Sequence, residues 1–383
     1  MSVFCLDYQP AVAQGAGIGR YTKDLARAIV PLLAPDERLR LFCCDFHRRL
    51  RAAPVEGAQF EAFRMLPGAL LQKAWTHFGA PAFDRFSGRA DVFHFTNFVS
   101  RPVRSGRTVV TIHDMSFERF PEFAEERNRA YLHANVARSA EKADAILADS
   151  EFSRREIEDL IPAARGKVST TLLGISPDFA PASAESIAAV REKLGLERPF
   201  ILAVGTVEPR KNLEFLVDFW ERLAPDGIDL VVSGAPGWRC EPIFARFDDA
   251  QRRFPGRFHW IRRAPDGALA ALYGAASLFA VTSHYEGFGL PPLEAMACGT
   301  PVLSSCGGSL PEVLGDAARL VRAFDADAWA HEAGKLLALP DEDRAAVVAR
   351  GLARAARFTW EKCASDTLRV YRGGAFGEGG GAR

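Results

Sequence analysis

Long hydrophobic runs are missing from this sequence of 383 residues. The first stretch reaches Asp7 after too few apolar residues for a secretory signal or a membrane span. Cysteine is also scarce, because the seven cysteines are scattered apart from the pair Cys43-Cys44, and no C-x-x-C spacing occurs. The spacing needed for a disulfide framework or a cysteine zinc site is therefore lacking. A reducing, cytoplasmic location is expected.

An excess of charge of either sign is missing too, since 48 Lys and Arg residues balance 48 Asp and Glu residues. The net charge therefore gives no reason to expect nucleic-acid binding. The aromatic residues also do not alternate with basic runs, as they do in base-stacking surfaces. Any anionic ligand has to be held by local groups. No metal-binding D-x-D pair sits at the end of a predicted strand, so we expect a site that requires no metal.

The sequence does contain enough apolar residues for two domains, with 48% hydrophobic residues in a chain about twice the usual domain length. Residues 177–185, PDFAPASAE, are small, polar and rich in proline, which predicts a linker. The predicted domains are therefore 1–180 and 181–372. The glycine-rich segment 373–383 is predicted to be a flexible tail.

Short β-branched or aromatic runs alternate with helical patterns in both halves, which predicts two doubly wound parallel sheets of the α/β class. The first runs are followed by turns or helices, as in the helix predicted from Arg20 to Leu33. The predicted strands of the first half are Val3–Leu6, Leu39–Cys43, Asp91–Phe95, Thr108–Ile112 and Ala145–Ala148. Those of the second half are Phe200–Val204, Asp229–Val232, Phe258–Ile261, Leu278–Val281 and Val302–Ser304.

Residues 281–302, VTSHYEGFGLPPLEAMACGTPV, combine a strand end, a glycine loop and a proline-marked helix start. Gly287 and Gly289 permit close backbone approach, and the free amides of a helix N-terminus suit a diphosphate. Glu286, in the loop, and Glu294, expected in the first helical turn, suit sugar or ribose hydroxyls. The pattern predicts a sugar-nucleotide site. Alternatively, the glycines only form a turn and Glu294 only favours the helix dipole.

The two glutamates seven residues apart, within HYEGFGLPPLEAMACGTPV, closely resemble the signature of family four of the retaining glycosyltransferases. The resemblance covers nearly the whole chain. It implies the GT-B fold, in which two Rossmann-like domains face a cleft, with the donor mainly on the C-terminal domain and the acceptor mainly on the N-terminal one. It also implies catalysis by Glu286. By the resemblance, the donor is bound by residues of the loop and the helix start, namely Gly287, Phe288, Gly289, Leu290 and Glu294.

A second segment, GTVEPRKN at 205–212, follows the first predicted strand of the second half. By the resemblance, Arg210 and Lys211 bind the donor phosphates and support catalysis. Many family members carry an arginine directly after the strand glycine, where this chain has Thr206, so Arg210 is expected to supply the second charge. Taken alone, an Arg-Lys pair is also typical of a solvated surface.

Two segments of the first half match the family as well. The loop QGAGIG at 14–19 resembles the glycine loop that approaches the diphosphate, which selects Gly17. His113 ends a buried strand at the sheet edge where ligands bind, and by resemblance it contacts the transferred sugar. Asp114 is expected to touch the acceptor or to orient His113. The alternative is a histidine bonded only to backbone, and His94 is the second candidate.

A further segment, FHWIRRAPDGALAALY at 258–273, resembles the family's border of the nucleobase, with Arg262 at the strand end. Ser309 and Glu312 are interpreted as a capping box of the next helix. The sequence does not identify the base. Its similarity to bacterial polysaccharide enzymes favours GDP-mannose as donor and a glycan or lipid-linked acceptor, with UDP-glucose and UDP-N-acetylglucosamine as alternatives. A nucleotide-sugar epimerase and a non-catalytic nucleotide-sugar-binding protein also stay open.

One apolar segment, FRMLPGALLQKAWTHF at 63–78, has residues 70, 71, 74, 75 and 78 on one helical face. The first interpretation is that this face packs on the sheet. The second is that Trp75, with Arg64 and Lys73, contacts the inner face of the cell membrane, where a lipid-linked acceptor would lie.

Overall fold

The computed structural model describes residues 1–15, 17–47, 55–264 and 267–374. Contacts divide the chain into two compact units. The first unit consists of Met1–Arg119, Glu126–Gly174 and the described residues from Thr359 onward; the second consists of Phe120–Glu125 and Ile175–Phe358. A division near residue 180 was predicted, and contacts place the change of unit at Gly174. Most of the predicted tail lies outside the described residues.

The first unit is built around one parallel sheet with helices between its strands. Its strands are β1 Ser2–Asp7, β2 Glu37–Cys44, β3 Gln59–Phe63, β4 Val92–Phe95, β5 Arg107–Thr111, β6 Ala145–Ala148 and β7 Val168–Thr170. Its first seven helices are α1 Gln9–Ala13, α2 Ile18–Ile29, α3 Gly68–Phe78, α4 Asp84–Ser87, α5 Ser116–Arg119, α6 Glu126–Lys142 and α7 Glu151–Leu160. Short 3-10 turns cover Val30–Leu32 and Pro162–Ala164.

Among the described residues, this sheet has seven strands in the order β3-β2-β1-β4-β5-β6-β7. The strand order reverses between β1 and β4, which pair in parallel with Asp7 opposite Phe95. At such a reversal, the carboxyl ends of the two neighbouring strands lie on either side of a crevice. The core on one face is rich in phenylalanine, including Phe42, Phe83 and Phe93.

The second unit repeats this architecture. Its strands are β8 Phe200–Val204, β9 Asp229–Ser233, β10 Phe258–Ile261, β11 Leu278–Val281, β12 Val302–Ser305 and β13 Arg319–Val321. Its helices are α8 Ala184–Leu194, α9 Leu213–Leu223, α10 Glu241–Arg253, α11 Leu269–Ala275, α12 Leu290–Ala297, α13 Leu310–Leu314, α14 Ala326–Leu337 and α15 Asp341–Ala355. The 3-10 turns are Pro121–Phe123, Pro209–Lys211, Ala224–Asp226 and Gly315–Ala317.

Within the part of the chain that the structure describes, the second sheet has six parallel strands in the order β10-β9-β8-β11-β12-β13. Its order reverses between β8 and β11, which pair through Leu278 and Ile201. The strands β8, β9 and β11 are buried on both faces, as central strands of parallel sheets are. Trp220 and Trp329 fill the core beside this sheet. Two parallel α/β sheets confirm the predicted fold class.

The last helix, α16 Trp360–Tyr371, packs with the first unit although it follows the second in sequence. The Tyr371 hydroxyl lies 2.6 Å from Nδ1 of His94, whose Nε2 lies 2.7 Å from the Thr111 hydroxyl. Burial, and then the neighbouring His113, lower the pKa of His94 to about 3. His94 is therefore a neutral core residue that anchors α16. The sequence predicted that residues 181–372 form one domain, whereas the contacts assign the end of this range, from Thr359 onward, to the first unit.

No helix in the described ranges combines the length and the apolar character needed to cross a membrane.

Candidate functional site

The main cluster of predicted residues lies at the carboxyl edge of the second sheet, where its strand order reverses. A narrow cavity here is lined by the end of β8, by Gly205 and Thr206 that follow it, and by the end of β11. Lys211 and Glu286 also border it. The cavity therefore occupies the crevice in which doubly wound sheets hold ligands.

Glu286 is the centre of this cluster. One carboxylate oxygen, Oε1, lies 2.6 Å from Nζ of Lys211 and accepts a hydrogen bond from Ser283 at 2.5 Å. The other, Oε2, lies 2.9 Å from Nη1 of Arg210. Burial alone would raise the pKa of Glu286, but Lys211 and Arg210 lower it to about 2. Glu286 is thus an ionised carboxylate that forms ion pairs with both cations.

Arg210 is positioned by groups besides Glu286. Its guanidinium donates to the Tyr285 carbonyl at 2.6 Å and to Oε1 of Glu208 at 2.5 Å. Glu208 is only 2% exposed, so this second carboxylate is a buried part of the cluster. The sequence argument missed Glu208, because a single carboxylate two residues before Arg210 does not identify its partner.

The loop after Glu286 leads into α12 through Gly287, Phe288 and Gly289. Gly289 has φ 110°, a conformation that a side chain rarely adopts, and it directly precedes Leu290 at the helix start. Prolines follow in the first turn, where a helix needs no internal amide donor. The helix start therefore faces the cavity lined by Pro291 and Pro292. This N-terminus is suited to an anion.

A neighbouring loop after β12 holds the Glu286 loop in place. The Ser305 hydroxyl donates to the Ser283 carbonyl at 2.6 Å. The Ser309 hydroxyl lies within hydrogen-bond distance of two carbonyl oxygens, those of Glu286 at 3.0 Å and Phe288 at 2.7 Å. Gly308 has φ 65°, and a Cβ there would lie 2.2 Å from the Glu286 carbonyl oxygen. Only glycine fits this contact.

The capping-box interpretation of Ser309 is wrong. Ser309 precedes α13, but its side chain makes no capping hydrogen bond and is turned towards the Glu286 loop instead. The Ser309 hydroxyl thus contacts two carbonyls of the Glu286 loop instead of capping its own helix, α13.

Glu294 does not join the Glu286 cluster. It lies in the second turn of α12 rather than in the first turn as predicted, and it is 1% exposed. Its Oε2 accepts a hydrogen bond from the Tyr273 hydroxyl at 2.8 Å. A donor-binding role for Glu294 stays a prediction.

Arg262 follows β10, the edge strand two positions from β8. At about 5 Å per strand, it lies on the order of 10 Å along the sheet edge from the cavity. Its guanidinium lies 4.9 Å from the Trp260 ring centroid. Arg262 is therefore at the same edge as Lys211 but outside the ion cluster.

His113 and Gly17 belong to the first unit. Nδ1 of His113 lies 2.8 Å from Asp149, and Nε2 lies 2.9 Å from the Thr96 carbonyl oxygen. Burial lowers the pKa of His113, but the Asp149 carboxylate outweighs this and the net pKa is raised. Since both nitrogens face acceptors, the geometry favours the imidazolium form.

The partner of His113 is therefore Asp149 and not Asp114, whose carboxylate accepts from the Ser116 amide at 2.8 Å. Asp149 directly follows β6, the strand next to β5. The expectation that Asp114 orients His113 is wrong, because Asp149 at the neighbouring strand end reaches the ring, while the Asp114 carboxylate accepts from the Ser116 amide.

Gly17 has φ 55° and directly precedes α2. The predicted glycine loop was expected to connect a strand to a helix, but the short helix α1 lies between β1 and this loop.

Within the described ranges, no group of three or more His, Cys, Asp or Glu side chains is arranged to hold a metal ion.

Two family models match the chain. The model described as Glycosyltransferase Family 4 matches residues 15–179, and the model described as Glycosyl transferases group 1 matches residues 186–353. Together they cover parts of both units, including His113, Lys211 and Glu286.

Curated relatives share this similarity. The chain is 37% identical to the O-antigen chain mannosyltransferase B of Escherichia coli, over 73% of this chain and 74% of the relative. It is 32% identical to a D-inositol 3-phosphate glycosyltransferase of Xylanimonas cellulosilytica, over 97% of this chain and 91% of the relative. It is 31% identical over 69% of this chain to the serotype-specific mannosyltransferase WbdA of Escherichia coli, but spans only 33% of that protein.

Among solved structures, the sucrose-phosphate synthase of Thermosynechococcus elongatus is similar in fold. The TM-score is 0.75 at 20% identity, covering 97% of this chain and 99% of the other.

Proposed function

This chain belongs to glycosyltransferase family 4, and on that premise we propose that it transfers mannose from GDP-mannose to the end of a glycan or lipid-linked oligosaccharide. Family membership makes it a retaining hexosyltransferase. The single observation that supports donor binding in the second unit best is the ion cluster of Arg210, Lys211 and Glu286 at the reversal of its sheet.

The proposed site uses charge where a sugar nucleotide needs it. Lys211 and Arg210 are only 16% and 18% exposed as side chains, so their charges act in a partly dehydrated environment. The departing diphosphate would be stabilised by these cations and by the amides at the start of α12. They would thereby do the work that a metal ion does elsewhere. Because Thr206 stands where many family members carry an arginine, Arg210 is proposed to supply the second positive charge beside Lys211.

Glu286 is proposed to act on the transferred sugar. Its carboxylate is ionised, and ionised oxygens accept strong hydrogen bonds from hydroxyl groups. In the described structure both cations are already paired with Glu286. A diphosphate would therefore compete with Glu286 for Lys211 and Arg210, which would turn the carboxylate towards the sugar.

His113 is proposed to contact the transferred sugar, as the family resemblance implies. Its Nε2 donates to the Thr96 carbonyl in this structure, so a sugar hydroxyl would have to take the place of that carbonyl. Asp149 fixes the ring through Nδ1. Gly17 is proposed to permit approach of the donor phosphates.

Mannose is proposed as the transferred sugar because two relatives are named as mannosyltransferases. GDP is proposed as the nucleotide because it is the commoner carrier of mannose. UDP-glucose and UDP-N-acetylglucosamine remain the competing donors. The relative from Xylanimonas favours a second candidate, transfer to a phosphorylated cyclitol acceptor.

The test is a donor panel with the purified protein and methyl α-D-mannopyranoside as acceptor probe. GDP-mannose, UDP-glucose and UDP-N-acetylglucosamine are supplied separately, with and without EDTA, and products are identified by NMR. We expect a mannoside of retained configuration from GDP-mannose only, with equal yield in EDTA. A glycoside from a UDP-sugar would contradict the donor assignment. An isomerised sugar would indicate an epimerase, and nucleotide binding without any product a binding protein.

A further inference from the structure

A cavity of about 400 Å³ lies in the first unit, separate from the ion cluster described above. It opens beside the carboxyl ends of β1 and β2 and is bordered by α1 and α3. Its volume falls within the range of roughly 300 to 1,000 Å³ that is usual for small-molecule sites. We call it the β1–β2 cavity and define it by six lining residues, Asp7, Gln9, Asp45, Phe46, Trp75 and Arg101.

Two carboxylates reach this cavity from neighbouring strand ends. Asp7 is the last residue of β1, and Asp45 directly follows β2, with only 4% of its surface exposed. Gln9 lies beside them: its backbone N–H donates to Oδ1 of Asp7 at 3.1 Å, and its side-chain oxygen accepts from the Cys44 backbone N–H at 2.8 Å. The polar groups are therefore held in place by strand ends and backbone contacts rather than by a free loop.

Arg101 and Trp75 also line the cavity. The Arg101 guanidinium lies 5.5 Å from the Trp75 ring centroid, and its Nη1 lies 3.3 Å from the Tyr131 hydroxyl. Within the part of the chain that the structure describes, Nε of Arg101 is buried without a hydrogen-bond partner. Trp75 is itself fixed by a 2.6 Å hydrogen bond from Nε1 to the Pro81 carbonyl.

The charges of the β1–β2 cavity distinguish ligand classes. Of its six defining residues, two are carboxylates and one is a guanidinium. Arg64 lies 3.5 Å from Asp45 and balances it. No surplus of positive charge faces a phosphate, and the two carboxylates, half-buried Asp7 and buried Asp45, would repel one. Carboxylates and an amide beside an aromatic ring instead match a sugar, which offers hydroxyl donors and an apolar CH face.

We propose that the β1–β2 cavity binds the uncharged terminal sugar of the acceptor, with Asp7 and Asp45 accepting hydrogen bonds from its hydroxyls and Trp75 covering its apolar face. This inference rests on the proposed function and adds an acceptor class to it. It assigns a neutral glycan end as acceptor and excludes a phosphorylated one. Burial raises the pKa of Asp7, although the nearby Arg101 lowers it. Hydroxyl donors would satisfy the carboxylate oxygens in this partly dehydrated place.

The first test measures sugar binding directly. Saturation-transfer-difference NMR is recorded with methyl α-D-mannopyranoside, and then with mannose 6-phosphate, on the wild type, Asp45→Asn and Asp36→Asn. Asp36 is an exposed aspartate of the same unit outside the cavity and controls for the loss of one charge. We expect binding of the neutral sugar to the wild type and to Asp36→Asn, and a loss of about tenfold or more for Asp45→Asn. Stronger binding of mannose 6-phosphate to the wild type would overturn the assignment.

The second test separates the acceptor cavity from the donor site. We expect Asp45→Asn and Asp7→Asn to raise KM for the mannoside about tenfold, while donor hydrolysis without acceptor and the thermal shift by GDP stay at wild-type values. Those two readouts also show that the variants are folded. Arg64→Gln should leave the KM nearly unchanged; an equal rise there would show that Asp45 acts only through Arg64, and would overturn the proposal.

An unchanged KM in both aspartate variants, with GDP binding intact, would overturn the cavity assignment alone. Failure of the wild type to bind GDP or UDP would instead overturn the proposed function, while the NMR comparison would still decide whether the cavity holds a neutral sugar.

Discussion

At the scale of the residue, Glu286 combines three neighbours of different kinds, Lys211, Arg210 and Ser283. Its carboxylate is 10% exposed and would be costly to bury without the two cations. The same contacts that stabilise the folded protein therefore keep Glu286 ionised and oriented. A variant that keeps the shape and removes the charge therefore tests both activity and stability at this position.

Glu286→Gln should lower transfer by about a hundredfold or more, because the transferred sugar loses a charged acceptor. Free GDP should bind to this variant at least as tightly as to the wild type, since Lys211 and Arg210 no longer have Glu286 as a competing anion. Turnover and calorimetric GDP affinity are the two measurements. A variant that keeps more than about a tenth of wild-type turnover would show that Glu286 has no catalytic role.

The same substitution makes a pH-dependent prediction. The pKa of Glu286 is about 2 in the folded state against 4.5 for an ordinary glutamate, so it stabilises the fold above pH 4.5. This contribution, at most about 3 kcal/mol, is lost as pH falls from 4.5 towards 2. The stability gap between wild type and Glu286→Gln in urea should therefore be large at pH 7 and shrink by pH 3. Glu192→Gln, an exposed glutamate of α8, controls for loss of charge. An equal gap at both pH values would contradict the assignment.

Several candidate site residues could be proposed from the sequence because they lie close to one another along the chain. Gly287, Phe288, Gly289 and Leu290 follow Glu286 directly, and Lys211 follows a strand end with a recognisable pattern. Asp149 and Glu208 could not be assigned in this way. Their roles depend on contacts of His113 and Arg210 with side chains chosen by the fold, and a single carboxylate at a strand end does not identify its partner.

At the scale of the element, the loop after β12 determines the shape of the Glu286 loop. Ser305, Gly308 and Ser309 contact its backbone from a neighbouring strand end. A loop held by three such contacts is preorganised, which is what a site for developing charge requires.

Gly308→Ala should disrupt this arrangement. The added Cβ would lie 2.2 Å from the Glu286 carbonyl oxygen, in addition to the strain of φ 65°. Gly195→Ala is the matched control, because Gly195 has φ 66° and no atom within 4 Å of the added Cβ. Both variants should lose about 1 kcal/mol to backbone strain, but only Gly308→Ala should lose the thermal shift by GDP and most of its turnover. Equal activity in the two variants would show that the contact is irrelevant.

The strands predicted from the sequence are the five central ones of the first sheet and all but β13 of the second, and their ends agree with the structure within two residues. Three strands were missed, β3, β7 and β13. All three lie at sheet edges and are partly exposed. Their residues do not form the continuous apolar runs that identify buried parallel strands, so pairing with a neighbour rather than local pattern creates them.

At the scale of the whole molecule, two elements lie in the unit that their sequence position would not suggest. Phe120–Glu125 belongs to the second unit, where the Phe123 ring stacks on His284 at 4.9 Å. Helix α16 belongs to the first unit through His94 and Arg107, which donates to carbonyls of Val370 and Tyr371. Such long-range exchanges have no local signature, so the sequence could predict two α/β halves but not these crossings.

The apolar face of α3 is divided in the structure, which changes the membrane prediction. Leu71 is buried, and the Trp75 ring lies 5.8 Å from Phe83, so Trp75 packs inside the first unit. Leu70 and Phe78 are 54% and 82% exposed. Membrane contact, if the second interpretation holds, therefore depends on these two side chains and on Lys73 rather than on Trp75.

Sedimentation with anionic liposomes tests this interpretation. The wild type should bind at low salt and dissociate at high salt, because screening weakens attraction to the lipid charges. Leu70→Ser with Phe78→Ser should remain in the supernatant, and Lys73→Ala should bind more weakly than Lys193→Ala, an exposed lysine of the second unit. If the wild type stays in the supernatant at low salt, the exposed side chains of α3 do not contact membranes.

The central claim is that the cluster around Lys211 binds the diphosphate of the donor, and calorimetric titration with GDP tests it most directly. Lys211→Ala removes the ammonium 2.6 Å from Glu286, while Lys193→Ala removes an exposed lysine from the same unit. We expect Lys211→Ala to weaken GDP binding by about 1.5 to 3 kcal/mol, roughly 10- to 150-fold, with Lys193→Ala equal to the wild type. Equal affinity of Lys211→Ala and the wild type would contradict the account.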